Sequence, residues 1–207
     1  MLTGFNGVID ISHHNSDMDF SKLKAAGIAG VIHKATQGST DVDPTYYYHR
    51  DGATQAGLLW GAYHFGTDSD GVTQANNFLN VVGDTSQTLL ALDFESNPTG
   101  PSMSLEEARA FVTQIKAVTG RYPGFYSGHD IKAALGSGID PVLAECWFWL
   151  AQYGPTPVVP QNWTTWTLWQ YTDGALGPDP TEIPGVGRMD RDLFNGTADE
   201  LYNFWGT

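Results

Sequence analysis

The reading of this chain turns on TLLALDFE, residues 88–95. An apolar run that short, ending on two carboxylates, reads as a buried β-strand. Strand side chains alternate, so Ala91, Asp93 and Glu95 share one face and Leu90, Leu92 and Phe94 the other. The Cα atoms of Asp93 and Glu95 then stand roughly 6.5–7 Å apart. Two acids that close, at the end of an apolar strand, do not both ionise with ordinary pKa values. The pair therefore performs chemistry or binds something positive.

Outward from this strand the chain alternates strands and helices. Residues 7–12 (GVIDIS), 30–36 (GVIHKAT) and 58–65 (LLWGAYHF) are strand-like. A short helix over 19–26 is stopped by Gly27. Asp43 as N-cap and Pro44 at the first helical position open a second helix reaching Gly57. A third covers 73–82 and stops at Gly83. Beyond TLLALDFE, Ser104 and Glu107 form a capping box. The helix it opens places Leu105, Ala108, Phe111, Val112, Ile115 and Val118 on one face and ends at Gly120. A strand over 122–127 and a helix over 130–135 complete the fifth unit. The rhythm then breaks. Residues 146–153 (CWFWLAQY) and 165–172 (TWTLWQYT) are strand-like, but Pro155, Pro157 and Pro160 leave no helix between them. A last strand over 188–194 and a helix over Ala198–Trp205 follow.

The fold class is therefore α/β: about five βα units followed by three strands lacking intervening helices, with a parallel sheet and right-handed crossovers. Eight strands in 207 residues predict a modified βα barrel that has lost its last helices, with residues 1–207 as a single domain. A doubly wound open sheet is the alternative, and it would need helices late in the chain.

Bulk properties narrow the function. The formal net charge of −13 argues against nucleic acid as a partner and against simple adhesion to an anionic membrane or wall. Cys146 is the single cysteine, so no intramolecular disulfide forms, and its apolar surroundings predict a buried thiol. No run of about 18 apolar residues is present to span a membrane. MLTGFNGVID has no basic n-region and no long apolar stretch, so no signal peptide is expected there. The aromatic fraction of 13% suits a sugar-binding cleft, although core packing accounts for most of these rings.

In a βα barrel the active site lies at the C-terminal ends of the strands. The residues predicted there are Asp10, Lys34 with Thr36, Tyr63 with His64, Asp93 with Glu95, Tyr126 with Ser127, Gln152 with Tyr153, and Gln170 with Tyr171. The last strand offers Asp190, in competition with Asp192. Four carboxylates about one cleft suit glycoside hydrolysis or hard-metal binding. The six histidines show no zinc-ligand spacing, so no metal site is predicted. Phosphate-binding and serine-nucleophile motifs are lacking. Residues 68–71 (DSDG) read as a solvated turn, and 162–164 and 195–197 match the glycosylation sequon, a pattern that often arises by chance.

Taken together, GVIDIS, GVIHKATQG, GAYHF, ALDFE, YPGFYS, WLAQY, WQYTDG and MDRDLFNG resemble glycoside hydrolase family 25, the Chalaropsis-type muramidases of bacteria, phages and fungi. The resemblance spans nearly the whole chain. It implies a flattened barrel of five βα units plus three strands, and a lysozyme or endolysin-like N-acetylmuramidase. Such an enzyme cleaves the β-1,4 bond between N-acetylmuramic acid and N-acetylglucosamine in bacterial peptidoglycan. It would act at the cell wall, extracellularly or after release by phage lysis, without a cofactor. A monomer is the default for an enzyme acting on an insoluble polymer. By position, the resemblance makes Glu95 the general acid/base. It gives Asp93 the substrate's 2-acetamido group, whose carbonyl oxygen serves as nucleophile in a retaining reaction. Asp10 and Asp190, rather than Asp192, complete the acid set and hold its hydrogen-bond network. Tyr63, Tyr126 and Tyr153 are the expected sugar contacts, with Lys34 nearby. Gln37 stands where many relatives carry Glu, so it takes no acid's role, and His13-His14 is assigned none. The other readings are a non-catalytic cell-wall glycan-binding module, a chitinase-like hexosaminidase and a metal-dependent hydrolase.

Overall fold

The structure, a computed structural model, describes residues 2–15 and 17–206. Strand β1 (Phe5–Ile11) is followed by α1 (Phe20–Ala25), β2 (Gly30–Gln37), a two-residue β3 (Asp41–Val42), α2 (Tyr46–Gln55), β4 (Leu59–Phe65), α3 (Gly71–Val82), β5 (Thr88–Asp93), α4 (Leu105–Thr119), β6 (Gly124–Ser127) and α5 (His129–Leu135). These make the five expected βα units. Next come β7 (Trp147–Ala151), β8 (Leu168–Thr172), a small hairpin of β9 (Glu182–Ile183) and β10 (Gly187–Arg188), β11 (Arg191–Phe194) and α6 (Ala198–Trp205). The three barrel strands β7, β8 and β11 have no α-helix between them, as the prolines predict.

Eight strands close on themselves. β1, β2, β4, β5, β6, β7 and β8 run parallel in that order, and β11 returns antiparallel between β8 and β1. Because β1 pairs with both β2 and β11, the doubly wound open sheet is ruled out. A parallel partner for β8 would need a crossover to the far end of the barrel. Without one, the chain stays at the end where β8 stops and enters β11 from there. This is why Asp190, just before β11, joins residues that lie at the C-terminal ends of the other strands.

The alternation read from TLLALDFE holds. Leu90, Leu92 and Phe94 pack outward with Phe78, Phe111, Val112 and Ile115 of the surrounding helices. Leu89 and Ala91 pack inward with Val8, Ile32, Tyr126, Trp149, Leu168 and Phe194. The ladder ends at Asp93, yet the Phe94 N–H still donates to Tyr126 O at 2.9 Å, which carries the alternation on to Glu95. At the other end of the barrel α6 forms the floor. Its Trp205 is buried in the inner cluster and donates from Nε1 to Trp60 O at 2.8 Å. Gly30 and Gly61 make room for that indole: a Cβ on either would lie 2.8 Å and 3.2 Å from ring carbons.

Some element edges differ from expectation. Asp43 does not cap α2, which starts at Tyr46 with Thr45 at its N-cap. The buried Asp43 carboxylate instead accepts from Thr45 N and Oγ1 (3.0 and 2.8 Å) and from His13 N and Nδ1 (3.0 and 2.8 Å), tying the loop after β1 to the start of α2. α3 begins at Gly71 because Asp70, in the DSDG turn, caps it by accepting from Thr73 N at 2.8 Å. The capping box on α4 forms as predicted. Cys146 is a buried free thiol, and both sequon asparagines serve the fold: Asn162 Oδ1 accepts from Asp140 N, and Asn195 Nδ2 donates to Trp166 O. Among the described residues no helix is long and apolar enough to cross a membrane.

Candidate active site

The polar strand ends converge on a cavity of about 200 Å³ lined by Asp10, Tyr63, Asp93, Glu95, Tyr126, Trp149, Tyr153, Gln170 and Asp190. All four predicted acids and all three predicted tyrosines are there. Their strand-end companions point elsewhere, as alternation requires. His64 is buried outside the barrel, stacked on Phe111 and bonded to Thr36 and Gln74. Ser127 donates to Phe94 O at 2.6 Å, and Gln152 is bonded to the backbone of the loop that follows it.

Lys34 does not line the cavity. A register irregularity between Lys34 and Thr36 turns β2, and Lys34 lies in an adjoining groove with His13, Gln37 and Asp43. Its Nζ donates to Gln37 Oε1 at 2.7 Å and stands 4.7 Å from the centre of the Phe65 ring. Gln37 thus has a role as the partner that holds Lys34, whose charge acts on the acids from the side.

Gln170 is the hub of the site. Its Nε2 donates to Asp10 Oδ2 at 2.8 Å, while its Oε1 accepts both Tyr126 OH (2.8 Å) and Tyr153 OH (2.9 Å). Trp149 packs edge-on against Tyr126 (ring centres 4.7 Å apart) and Tyr63 (6.3 Å) and donates from Nε1 to Asp192 Oδ1 at 2.6 Å. The sequence places Gln170 at a strand end but gives it no role, and it gives Trp149 none. The signal for Trp149 is its period-two position in WFWLA, where Phe148 and Leu150 face out. Asp190 takes the cavity position and Asp192 lies behind it, fully buried.

The acids differ in surroundings. Asp93 is 5% exposed, and its Oδ1 has no hydrogen-bond partner among the described residues. Burial, then the charge of Glu95, pushes the Asp93 carboxyl well above its usual range, with Lys34 opposing. Glu95 is half-buried at the mouth and is raised by burial and then by Asp130, again opposed by Lys34. Burial and then the Asp192 charge raise Asp10 well above its usual range. Burial, then Asp10, pushes Asp190 up to about 8, and burial pushes Asp192 up to about 8.

A stability consequence follows. Each of these five acids holds its proton more tightly folded than unfolded, so its contribution is full below the unfolded value near 4 and is lost as pH rises through the folded value. Buried His33 and His64, both lowered to about 4 mainly by burial, act oppositely: their contribution is present above 6.5 and lost as pH falls toward 4. Between about pH 6.5 and 8 these two histidines no longer titrate, while Asp190 and Asp192, both raised to about 8 chiefly by burial, do. The thermal midpoint is therefore expected to fall across that window in calorimetry. A flat or rising midpoint would contradict the protonated state assigned to these carboxyls.

The family model for "Glycosyl hydrolases family 25" matches residues 9–179. The chain is 33% identical to Lysozyme M1 of Streptomyces globisporus over 93% of this chain and 69% of that protein. It is 30% identical to the N,O-diacetylmuramidase of Chalaropsis sp over 85% of this chain and 92% of that one. Among solved structures, the bacterial lysozyme from Streptomyces coelicolor superposes with a TM-score of 0.84 at 32% identity, covering 99% of this chain and 98% of that one.

Proposed function

Because this chain belongs to glycosyl hydrolases family 25, and is thereby a glycoside hydrolase, we propose that it is an N-acetylmuramidase acting on peptidoglycan at the bacterial cell wall. The observation that carries the proposal is the meeting of Asp10, Asp93, Glu95 and Asp190 in one tyrosine-lined cavity. Residues 1–207 work as a single catalytic domain, and as a monomer.

Glu95 is the general acid and base. It sits at the mouth, where a leaving sugar departs, and burial together with Asp130 favours its protonated form. Asp93 serves the 2-acetamido group of the sugar bound beside it. Its unpartnered Oδ1 accepts the acetamido N–H; burial and the Glu95 charge favour the protonated carboxyl, Lys34 opposes them, and a carboxyl oxygen accepts in either state. The acetamido carbonyl oxygen attacks the anomeric carbon as the glycosidic C–O bond breaks, and Glu95 gives its proton to the departing oxygen. Water then attacks the same carbon. Glu95 takes the water's proton, the bond to the acetamido oxygen breaks, and the anomeric configuration is retained. Tyr63, Tyr126 and Tyr153 bind the sugar.

Mass spectrometry of digested walls tests the substrate assignment. New reducing ends are expected on muramic acid. Glucosamine ends would make the enzyme a hexosaminidase instead, and retention of glycan without release of fragments would make it a binding module. Proton NMR of the first-formed anomer tests retention.

A further inference from the structure

Glu95 stands in the middle of residues 94–96, the segment that leaves β5, and both of its neighbours are tied down. On one side the Phe94 N–H donates to Tyr126 O at 2.9 Å, and Phe94 O accepts from Ser127 Oγ at 2.6 Å. Ser127 Oγ in turn accepts from Ile131 N at 3.3 Å, which joins this tie to α5. On the other side Ser96 donates twice to Asp130, from Oγ to Oδ1 at 2.8 Å and from N to Oδ2 at 3.3 Å. Glu95 is thus held between two anchors that both belong to the β6–α5 unit.

Asp130 lies in the first turn of α5, where a negative charge ordinarily serves the start of its own helix. Among the described residues both of its oxygens accept from Ser96, 34 positions earlier in the chain. The same carboxylate lines a cavity of about 210 Å³ that adjoins the acid site. Glu95, Tyr126 and Tyr153 line both cavities, and His129 and Asp130 line only the second. Ser96 is exposed and Asp130 half-buried, so the pair contributes little to core packing. We propose that Asp130 is a positioning residue for Glu95: by holding both donors of Ser96 it fixes the segment that aims the general acid between the two cavities.

What Glu95 does rests on the muramidase reading; how it is held rests on these bonds. The charge of Asp130 acts in the same sense as the tie, since it stands second to burial in favouring the protonated Glu95 carboxyl. The other titratable groups facing Glu95 are Asp93 from its own strand end, Asp10, Lys34, His129 and Asp190 from the surrounding elements, and the three cavity tyrosines. All of these stay in place in the variants that test the tie.

Asp130→Asn keeps an acceptor for Ser96 and removes the charge. Asp130→Ala removes both, and Ser96→Ala removes the hydroxyl bond while leaving the charge. Asp130→Ala is expected to lower kcat for muropeptide release about tenfold, with KM changed by about twofold at most, because small misplacements of a reacting group are costly. Asp130→Asn should restore part of that loss, and the alkaline limb of its kcat/KM profile should move toward acid pH. Ser96→Ala should lower kcat about threefold with its pH limbs unmoved. The Ser96→Ala, Asp130→Ala double variant should lose no more than Asp130→Ala alone, since both changes break the same tie. The second readout is the carboxyl carbon resonance of Glu95, assigned with Glu95→Gln, which should titrate at lower pH in Asp130→Asn than in the wild type. A Glu95 titration unmoved by Asp130→Asn shows that the carboxylate does not stand beside Glu95 and overturns the assignment. Rate losses that multiply in the double variant also overturn it. If no Asp130 variant folds, full turnover by Ser96→Ala overturns it. A Glu95 titration that moves in Asp130→Asn, in a protein whose wild type releases no fragments, supports the tie and overturns the muramidase reading.

Discussion

Glu95→Gln is expected to lower turnover on peptidoglycan by about 10²–10⁴-fold, the usual contribution of a general acid/base. Gln keeps the shape of Glu and can still donate a hydrogen bond to the departing oxygen, but it cannot transfer a proton. The loss should fall on kcat, with glycan binding retained. Removing a carboxyl raised by burial and by Asp130 also removes part of the mutual repulsion in the cavity. The variant should therefore melt no lower than wild type at pH 8, a stability gain bought with activity. Muropeptide release and calorimetry on the same preparations measure both effects. Near-normal turnover would remove Glu95 from the mechanism and move attention to Asp93.

Trp205→Ala is expected to have the largest effect on stability, about 3–5 kcal/mol. The indole is 1% exposed, fills the barrel floor against Gly30 and Gly61, and holds Trp60 O by its N–H. The two glycines have no side chains with which to refill the space, so the cavity stays open. For a chain of this size each kcal/mol lowers the midpoint by about 2–4 °C. Urea unfolding gives the free energy directly, and a loss below about 1 kcal/mol would show that Phe204 and Leu201 close over the gap. The floor lies at the far end of the barrel from the acids, so kcat/KM well below the melting temperature should be preserved.

Much of this was legible in the sequence. Period-two alternation through TLLALDFE carries Asp93 and Glu95 to one face, and the same rule separates Tyr63 from His64 and Tyr126 from Phe125. Caps and prolines mark the five βα units and the point where helices stop. What stayed hidden depends on partners distant in sequence. Gln170 is a hub because it reaches Asp10 and Tyr126, 160 and 44 positions away, and nothing local to QYT announces that. Asp43 carries the composition of an N-cap, yet a contact with His13 competes for the same carboxylate and wins because the site is buried. Asp190 and Asp192 are equivalent by spacing alone. The resemblance chose between them, and the geometry gives the second its own place behind the first. Lys34 lies beside the cavity because a one-residue irregularity in β2, invisible to pattern reading, turns the strand.

The seam between β1 and β11 joins segments from opposite ends of the chain. During synthesis β1 can find β2 early, but its other edge has no partner until the ribosome has passed residue 194. Asp10 and Asp190 stand on the two sides of that seam, so the acid cluster cannot assemble on a partial chain. Nascent fragments carry open strand edges, a liability for aggregation and a demand on chaperones. They carry no complete acid cluster, so the proposed hydrolytic site forms only once β11 has been made.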